Sequence, residues 1–224
     1  MYDRIEKLIG SSNLEKIRNK TVVIVGLGGV GGFAAESLVR SGIENLIVID
    51  YDKIDISNLN RQIITTTNNI DQLKVDEFSK RAQQINPKIN ITKLNWKLDS
   101  ENVSNLFKYH FDYLIDCCDT LTVKEKLIEE CLKHNIVFIS SMAMGNKKDP
   151  SKLEISDISK TSYDPIAKKI RKYLKDNKIS GKVPVVYSKE QGKKFTGSIP
   201  SMIFVPSVCG ILCANYIVMD IIKE

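Results

Sequence analysis

The sequence predicts an α/β fold: a Rossmann-like, mostly parallel sheet with helices on both faces, followed by C-terminal strands and an apolar helix. Three observations predict it. Short β-branched runs alternate with helix-periodic segments through the first two-thirds of the chain, the pattern of a parallel sheet with helical crossovers. A glycine-rich turn, GLGGVGG at 26–32, joins the first such run to the first helical segment. Acidic residues close the second and fourth runs, at Asp50 and Asp119, and ligands in such sheets collect at the carboxyl ends of strands.

The elements follow in order. TVVIV at 21–25 suits a strand buried on both faces. FAAESLVRSG reads as a helix closed by Gly42. Strands are expected at 46–50, 89–94, 113–119 and 136–141. Helices are expected at 74–85, 100–109 and 123–134, the first stopping at Asn86-Pro87. Beyond Asn146 the alternation loosens. A returning strand is expected at 153–157 and another at 183–190. Between them DPIAKKIRKYLKDN has Asp164 as cap and Pro165 at its first helical position. Its apolar face would be Ile166, Ile170, Tyr173 and Leu174. The closing stretch IPSMIFVPSVCGILCANYIVMDII is apolar for about the length of a membrane span. Interrupted by Pro200, Pro206, Gly210, Asn215 and Asp220, it reads as a buried helix on the sheet, with no stable membrane association expected.

The 224 residues suit one domain, with 1–145 as its nucleotide-binding half and 146–224 as its substrate-facing half. The opening MYDRIEKLIG lacks the apolar segment of a signal peptide. The five cysteines form no Cys-x-x-Cys pair, so they read as reduced, cytoplasmic thiols rather than a disulfide or zinc framework. Cys209 and Cys213 share a helix face as small core residues, a redox or persulfide role remaining open. His110 and His134 read as structural. The net charge of +6 is uneven: between 160 and 194, eleven basic residues face three acidic ones. Such a local patch points to a polyanionic partner.

The glycine loop brings backbone N–H groups to phosphate at a helix N-terminus, through Gly26, Gly28, Gly29 and Gly31. Asp50, 19 residues past Gly31, is placed to hold ribose hydroxyls, with Asp52 beside it. These features alone indicate an adenine nucleotide and leave the chemistry open. IDISNLNRQI at 54–63 narrows it. Asn58, Arg61 and Gln62 supply two amides and a guanidinium fork on one short turn, and Lys74 adds a compact cation. A dehydrogenase leaves nucleotide phosphates intact and gains little from such a cluster. An enzyme attacking a phosphate must offset charge on the phosphorus centre and on the leaving group, and Asp119 can hold magnesium there.

GLGGVGG, Asp50, SNLNRQ, Lys74 and the DCCD strand end resemble the adenylating superfamily that includes ubiquitin-activating enzymes and the molybdopterin- and thiamine-pathway activators of sulfur carriers. The resemblance, over about residues 1–145, implies an ATP-binding homodimer. It puts the Asn, Arg and Lys on ATP phosphates, the strand-end Asp on Mg2+, and Arg4 in the neighbouring subunit's site. From KDPSKLEISDISK through VPVVYSKE to GSIPSMIFVPSVCGILCAN, the second half is similar to the tRNA threonylcarbamoyladenosine dehydratases.

That implies a tRNA substrate bearing threonylcarbamoyladenosine, ATP-driven closure of its side chain, and possible sulfur-transfer partner proteins. Lys168, Lys169, Arg171, Lys172 and Lys175 become candidate RNA contacts. Arg61 and Lys74 would meet the charge of the transferring phosphoryl group, Asn58 and Gln62 would orient it, Asp119 would hold magnesium and Asp50 the ribose. The chain departs from the family's usual pattern at Asp71, where glycine is common, and at Thr120, where Asn or Ser is usual. The rivals are an activator of a ubiquitin-like sulfur carrier, a nucleotide-binding regulator or oxidoreductase, and a plain RNA-binding module.

Overall fold

The structure is a computed structural model that describes residues 1–193 and 195–223. Its sheet has seven strands, β1 (Thr21–Val25), β2 (Asn45–Ile49), β3 (Asn90–Leu94), β4 (Tyr113–Asp116), β5 (Val137–Ser141), β6 (Leu153–Asp157) and β7 (Pro184–Ser188), in spatial order β3-β2-β1-β4-β5-β7-β6. All neighbours are parallel except β6 and β7. Thus β6 is the returning strand and caps one edge. Val22, Val23, Ile24 and Val25 are all buried, and each contributes about 1.5–3 kcal/mol of apolar burial. The register sets Val25 beside both Ile49 and Asp116, so three strands end level. The strand order reverses between β1 and β4, and a crevice opens there.

Helix α3 (Gly31–Ser41) follows the glycine loop and ends at Gly42, φ +106°, the left-handed cap that its sequence requires. α4 (Lys74–Ile85) and α6 (Pro165–Asp176) have the expected bounds, and α5 (Leu121–His134) starts two residues early. Helix α7 (Phe204–Ile221) packs across α3 and under β5 and β7. The approach is close: a Cβ on Gly210 would lie 2.2 Å from the Val30 carbonyl oxygen. α7 is long and apolar enough to cross a membrane, but half of it is buried against the rest of the protein.

Two N-terminal helices, α1 (Asp3–Ile9) and α2 (Ser11–Arg18), precede β1; α1 buries none of its residues, and α2 buries Leu14 and Ile17. Two expectations differ from the structure. The expected helix at 100–109 is a 3-10 segment, Val103–Lys108. Asp99 accepts the Glu101 and Asn102 N–H groups at 2.9 Å, and Asn102 accepts from Asp99 at 3.0 Å. These local bonds compete with helical ones. Finally, β4 stops at Asp116 because that carboxylate accepts the Cys118 N–H at 3.1 Å, so Asp119 lies on the loop beyond the strand.

Candidate active site

A cavity of about 870 Å³ fills the crevice. Its inner half is lined by the glycine loop, Asp50, Asp52, Asn58, Arg61, Gln62, Lys74 and Asp119; its outer half by 142–147, Tyr163 and parts of 191–201.

The glycines have separate jobs. Gly26 has φ +90° and the Cys117 carbonyl 2.9 Å from where a Cβ would stand. Gly31 does not line the cavity; a Cβ there would collide with Gly26 O at 1.8 Å, so it serves close packing. At Gly28 a Cβ would meet only Gln62 Nε2, at 3.9 Å. That open space is a cradle a ligand can approach at backbone distance.

Asp50 is buried and accepts the Leu27 and Asp52 N–H groups at 2.7 and 2.8 Å. Burial pushes its carboxyl above the ordinary range, against the opposing charge of Lys74 and the two N–H bonds. A 3-10 turn, Ile56–Asn58, is capped by Asp55, which bonds Asn58 reciprocally as a capping box, and the chain curls on so that Arg61 and Gln62 N–H both donate to Asn58 O. One turn therefore carries all three polar groups, as the spacing predicts. Arg61 donates through Nη1 to Ser57 O and Asn60 Oδ1 at 2.7 and 2.9 Å; its other nitrogens have no acceptor among the described residues. Gln62 is buried with Oε1 unpartnered. Lys74, also buried, donates to Asp52 Oδ2 at 2.7 Å. Asp71 has φ +66°, the left-handed region in which glycine is free and Asp tolerated, so the loop keeps the conformation that a glycine would give it.

Asp119 is exposed at the cavity's edge. No group of three or more His, Cys, Asp or Glu side chains that could hold a metal ion exists among the described residues, so a magnesium ion at Asp119 would draw its other ligands from phosphate and water. Arg4 is exposed on α1 and does not line this chain's cavity. In the basic district Lys168, Lys169 and Lys175 are exposed and Lys172 pairs with Asp176. Arg171 turns inward instead, donating to the Ile158 carbonyl at 3.1 Å and to Thr161, and so fastens α6 rather than facing solvent. Lys194 lies outside the described residues.

Sequence reasoning missed two ion pairs. Asp116, fully buried, accepts from Lys124 Nζ at 3.0 Å, Ser140 Oγ at 2.6 Å and the Cys118 thiol at 3.0 Å. Burial pulls Lys124's pKa down, but Asp116 more than offsets it and the ammonium is held charged. Lys147 Nζ, at the outer half, donates to Ala143 O and faces Asp164 Oδ2 at 3.5 Å. The first acid of DCCD was the available signal for one pair; the cap Asp164 was for the other. Among the described residues all five cysteines are free: Cys131, Cys209 and Cys213 are buried, and Cys117 and Cys118 are half-buried at the cavity wall.

The sequence matches the ThiF family over residues 2–218. It is 39% identical to the tRNA threonylcarbamoyladenosine dehydratase of Bacillus subtilis, over 100% of this chain and 95% of that protein. The molybdopterin-synthase adenylyltransferase of Haemophilus influenzae is 34% identical over 64% of this chain and 59% of its own length. The structure superposes on Escherichia coli tRNA N6-threonylcarbamoyladenosine dehydratase in complex with ATP with a TM-score of 0.93, at 28% identity, covering 98% of this chain and 93% of that one. The glycine cradle, the polar turn and a likeness running from end to end agree, and the chain belongs to the ThiF family.

Proposed function

We propose that this chain is an ATP-dependent tRNA threonylcarbamoyladenosine dehydratase, activating the threonyl carboxylate so that the side chain closes on itself with loss of water. The observation that carries this is the turn at 55–62, which sets an amide, a guanidinium and a second, unsatisfied amide beside an open glycine cradle. Docking a nucleotide needs less. The likeness to a dehydratase over the whole chain supports it further, whereas the adenylyltransferase likeness covers only part.

In this reading the carboxylate oxygen bonds to an ATP phosphorus while the bond to the departing phosphate breaks. The carbamoyl group then closes onto the activated carbonyl and expels the phosphoryl fragment with the carboxylate oxygen. The second nucleophile is intramolecular, so effective concentration replaces an enzyme thiol. Arg61 and Lys74 offset charge growing on the phosphates. Lys74 must loosen from Asp52 to do so, and Asp52 holds it ready. Asn58 and Gln62 orient the chain of phosphates, and Asp50 receives the ribose. Asp119 would hold magnesium, which would offset phosphate charge when bound. Arg4 reaches the cavity of a second copy in a homodimer, and Lys168, Lys169 and Lys175 meet the tRNA backbone in the cytoplasm, with sulfur-transfer proteins as further partners.

Incubation with ATP, magnesium and tRNA bearing the threonylcarbamoyl group, followed by nucleoside mass spectrometry, is expected to reveal a nucleoside lighter by one water. Arg61→Ala should lower the rate by about 10²–10³-fold with an unchanged unfolding transition. Undiminished turnover in that variant would remove the reading. Turnover of a carrier protein's C-terminus in place of the RNA would instead favour the sulfur-carrier alternative.

A further inference from the structure

The outer half of the cavity has a construction that phosphate chemistry does not explain. Tyr163 stands there 67% exposed and Phe195 44% exposed. Tyr163 has φ +57°, a backbone region that costs a bulky residue about 1–3 kcal/mol and persists only when its surroundings impose it. Asp164 imposes it: Oδ1 accepts the Ile166 and Ala167 N–H groups at 3.0 Å, and Oδ2 accepts Ala143 N–H at 3.1 Å. Glycine or asparagine would sit at 163 with less strain. The ring is instead kept and held in solvent at a cavity rim.

The wall opposite is equally fixed. Asn146 N–H donates to Pro200 O at 2.7 Å, and its side chain donates to Lys193 O. A Cβ on Gly145 would fall 2.3 Å from Ile199 Cγ2, and one on Gly192 2.8 Å from Asn146 Nδ2. Two loops are thus locked together, with Phe195 on one of them. Lys147 lines the same cavity, nine-tenths buried, and its three N–H donors meet only Ala143 O and Asp164 among the described residues.

We propose that this half-cavity is the subsite for the modified nucleoside itself. Tyr163 and Phe195 stack on the purine drawn out of the RNA, and Lys147 supplies a donor to the carboxylate of its side chain. The inference rests on the reading above that the substrate is a modified adenosine in tRNA. Two exposed aromatic rings suit a π-face without regard to sequence, and a buried ammonium with a spare donor suits a carboxylate. The arrangement puts that carboxylate in the same cavity as the phosphate-handling turn.

The test is binding of an anticodon stem-loop RNA carrying threonylcarbamoyladenosine, measured by fluorescence anisotropy. It is compared with the same RNA carrying plain adenosine and with its carboxyl methyl ester. Tyr163→Ala and Phe195→Ala should each weaken all three RNAs by about tenfold, the scale of one lost stacking contact. Tyr163→Phe should bind as wild type, and ATP affinity should not move in any of them. The wild-type protein should prefer the free acid over the ester and over plain adenosine, and Lys147→Met should erase that preference. Unchanged RNA binding in both alanine variants overturns the stacking assignment. Equal wild-type affinity for acid and ester overturns the lysine's role, without depending on whether the Lys147 variant folds. A wild-type protein that binds these RNAs but never dehydrates the nucleoside removes the functional reading beneath the proposal, a result separate from either.

Discussion

Asp116 and Lys124 form an ion pair with no solvent to share its charge. Taking two ions out of water costs several kcal/mol each, recovered only through their attraction and the added bonds from Ser140 and Cys118. Lys124→Met should therefore cost about 3–5 kcal/mol, because it strands a carboxylate. Adding Asp116→Leu should return much of that, and denaturant midpoints of the single and double variants check both. The first acid of DCCD was the available signal, but the pair was not legible, since a lysine on an amphipathic helix reads as solvated and its acid ends the preceding strand. Asn58, Arg61 and Gln62 were legible because consecutive residues built one turn, so spacing alone predicted convergence. Asp71 was legible as a departure from pattern, and its φ shows why the departure is tolerated: aspartate is one of the few side chains that enters the left-handed region at small cost. Gly31 was assigned to the ligand, yet its lack of a side chain serves the backbone beside it.

Between elements, Glu36 joins α3 to α4. Burial would raise its pKa, but Arg81 and Arg40 outweigh that and hold the carboxyl below the ordinary glutamate range. The folded state thus releases this proton more readily than the unfolded chain. Its stability is fully present above the unfolded-state range and lost as pH falls through the lowered folded value. Glu36→Gln should lower the thermal midpoint near neutrality, and the gap from wild type should close on acidification, read by unfolding scans across the acid range. Strands and long helices were legible from periodicity because burial on a sheet enforces it. The 3-10 segment at Val103–Lys108 was not, since Asp99 and Asn102 spend their side chains on nearby backbone. The shortened β4 has the same cause: a side-chain acceptor took the next N–H.

Across the whole molecule, charge is segregated. The exposed lysines of α6 give one face a field of its own, while Arg171 on the same helix is committed to backbone and Thr161. For tRNA binding, Lys168→Ala and Lys169→Ala should each reduce the slope of log affinity against log salt by about 1, at unchanged stability. Arg171→Ala should instead lower stability, so titration at several salt concentrations beside a melting curve separates the two classes. Composition located this district; only tertiary structure tells its solvated cations from the one used as a strut.

The crossing of α7 over α3 bears on the order in which a working protein comes into being. The glycine loop leaves the ribosome well before α7, yet the helix it opens is buttressed at Val30 and Ala34 by Gly210, almost 180 residues later. Vectorial synthesis therefore delivers the cavity's first wall ahead of its brace. A nascent chain halted before α7 carries the glycine loop, Asn58, Arg61, Gln62 and Lys74 but lacks the helix that packs across α3.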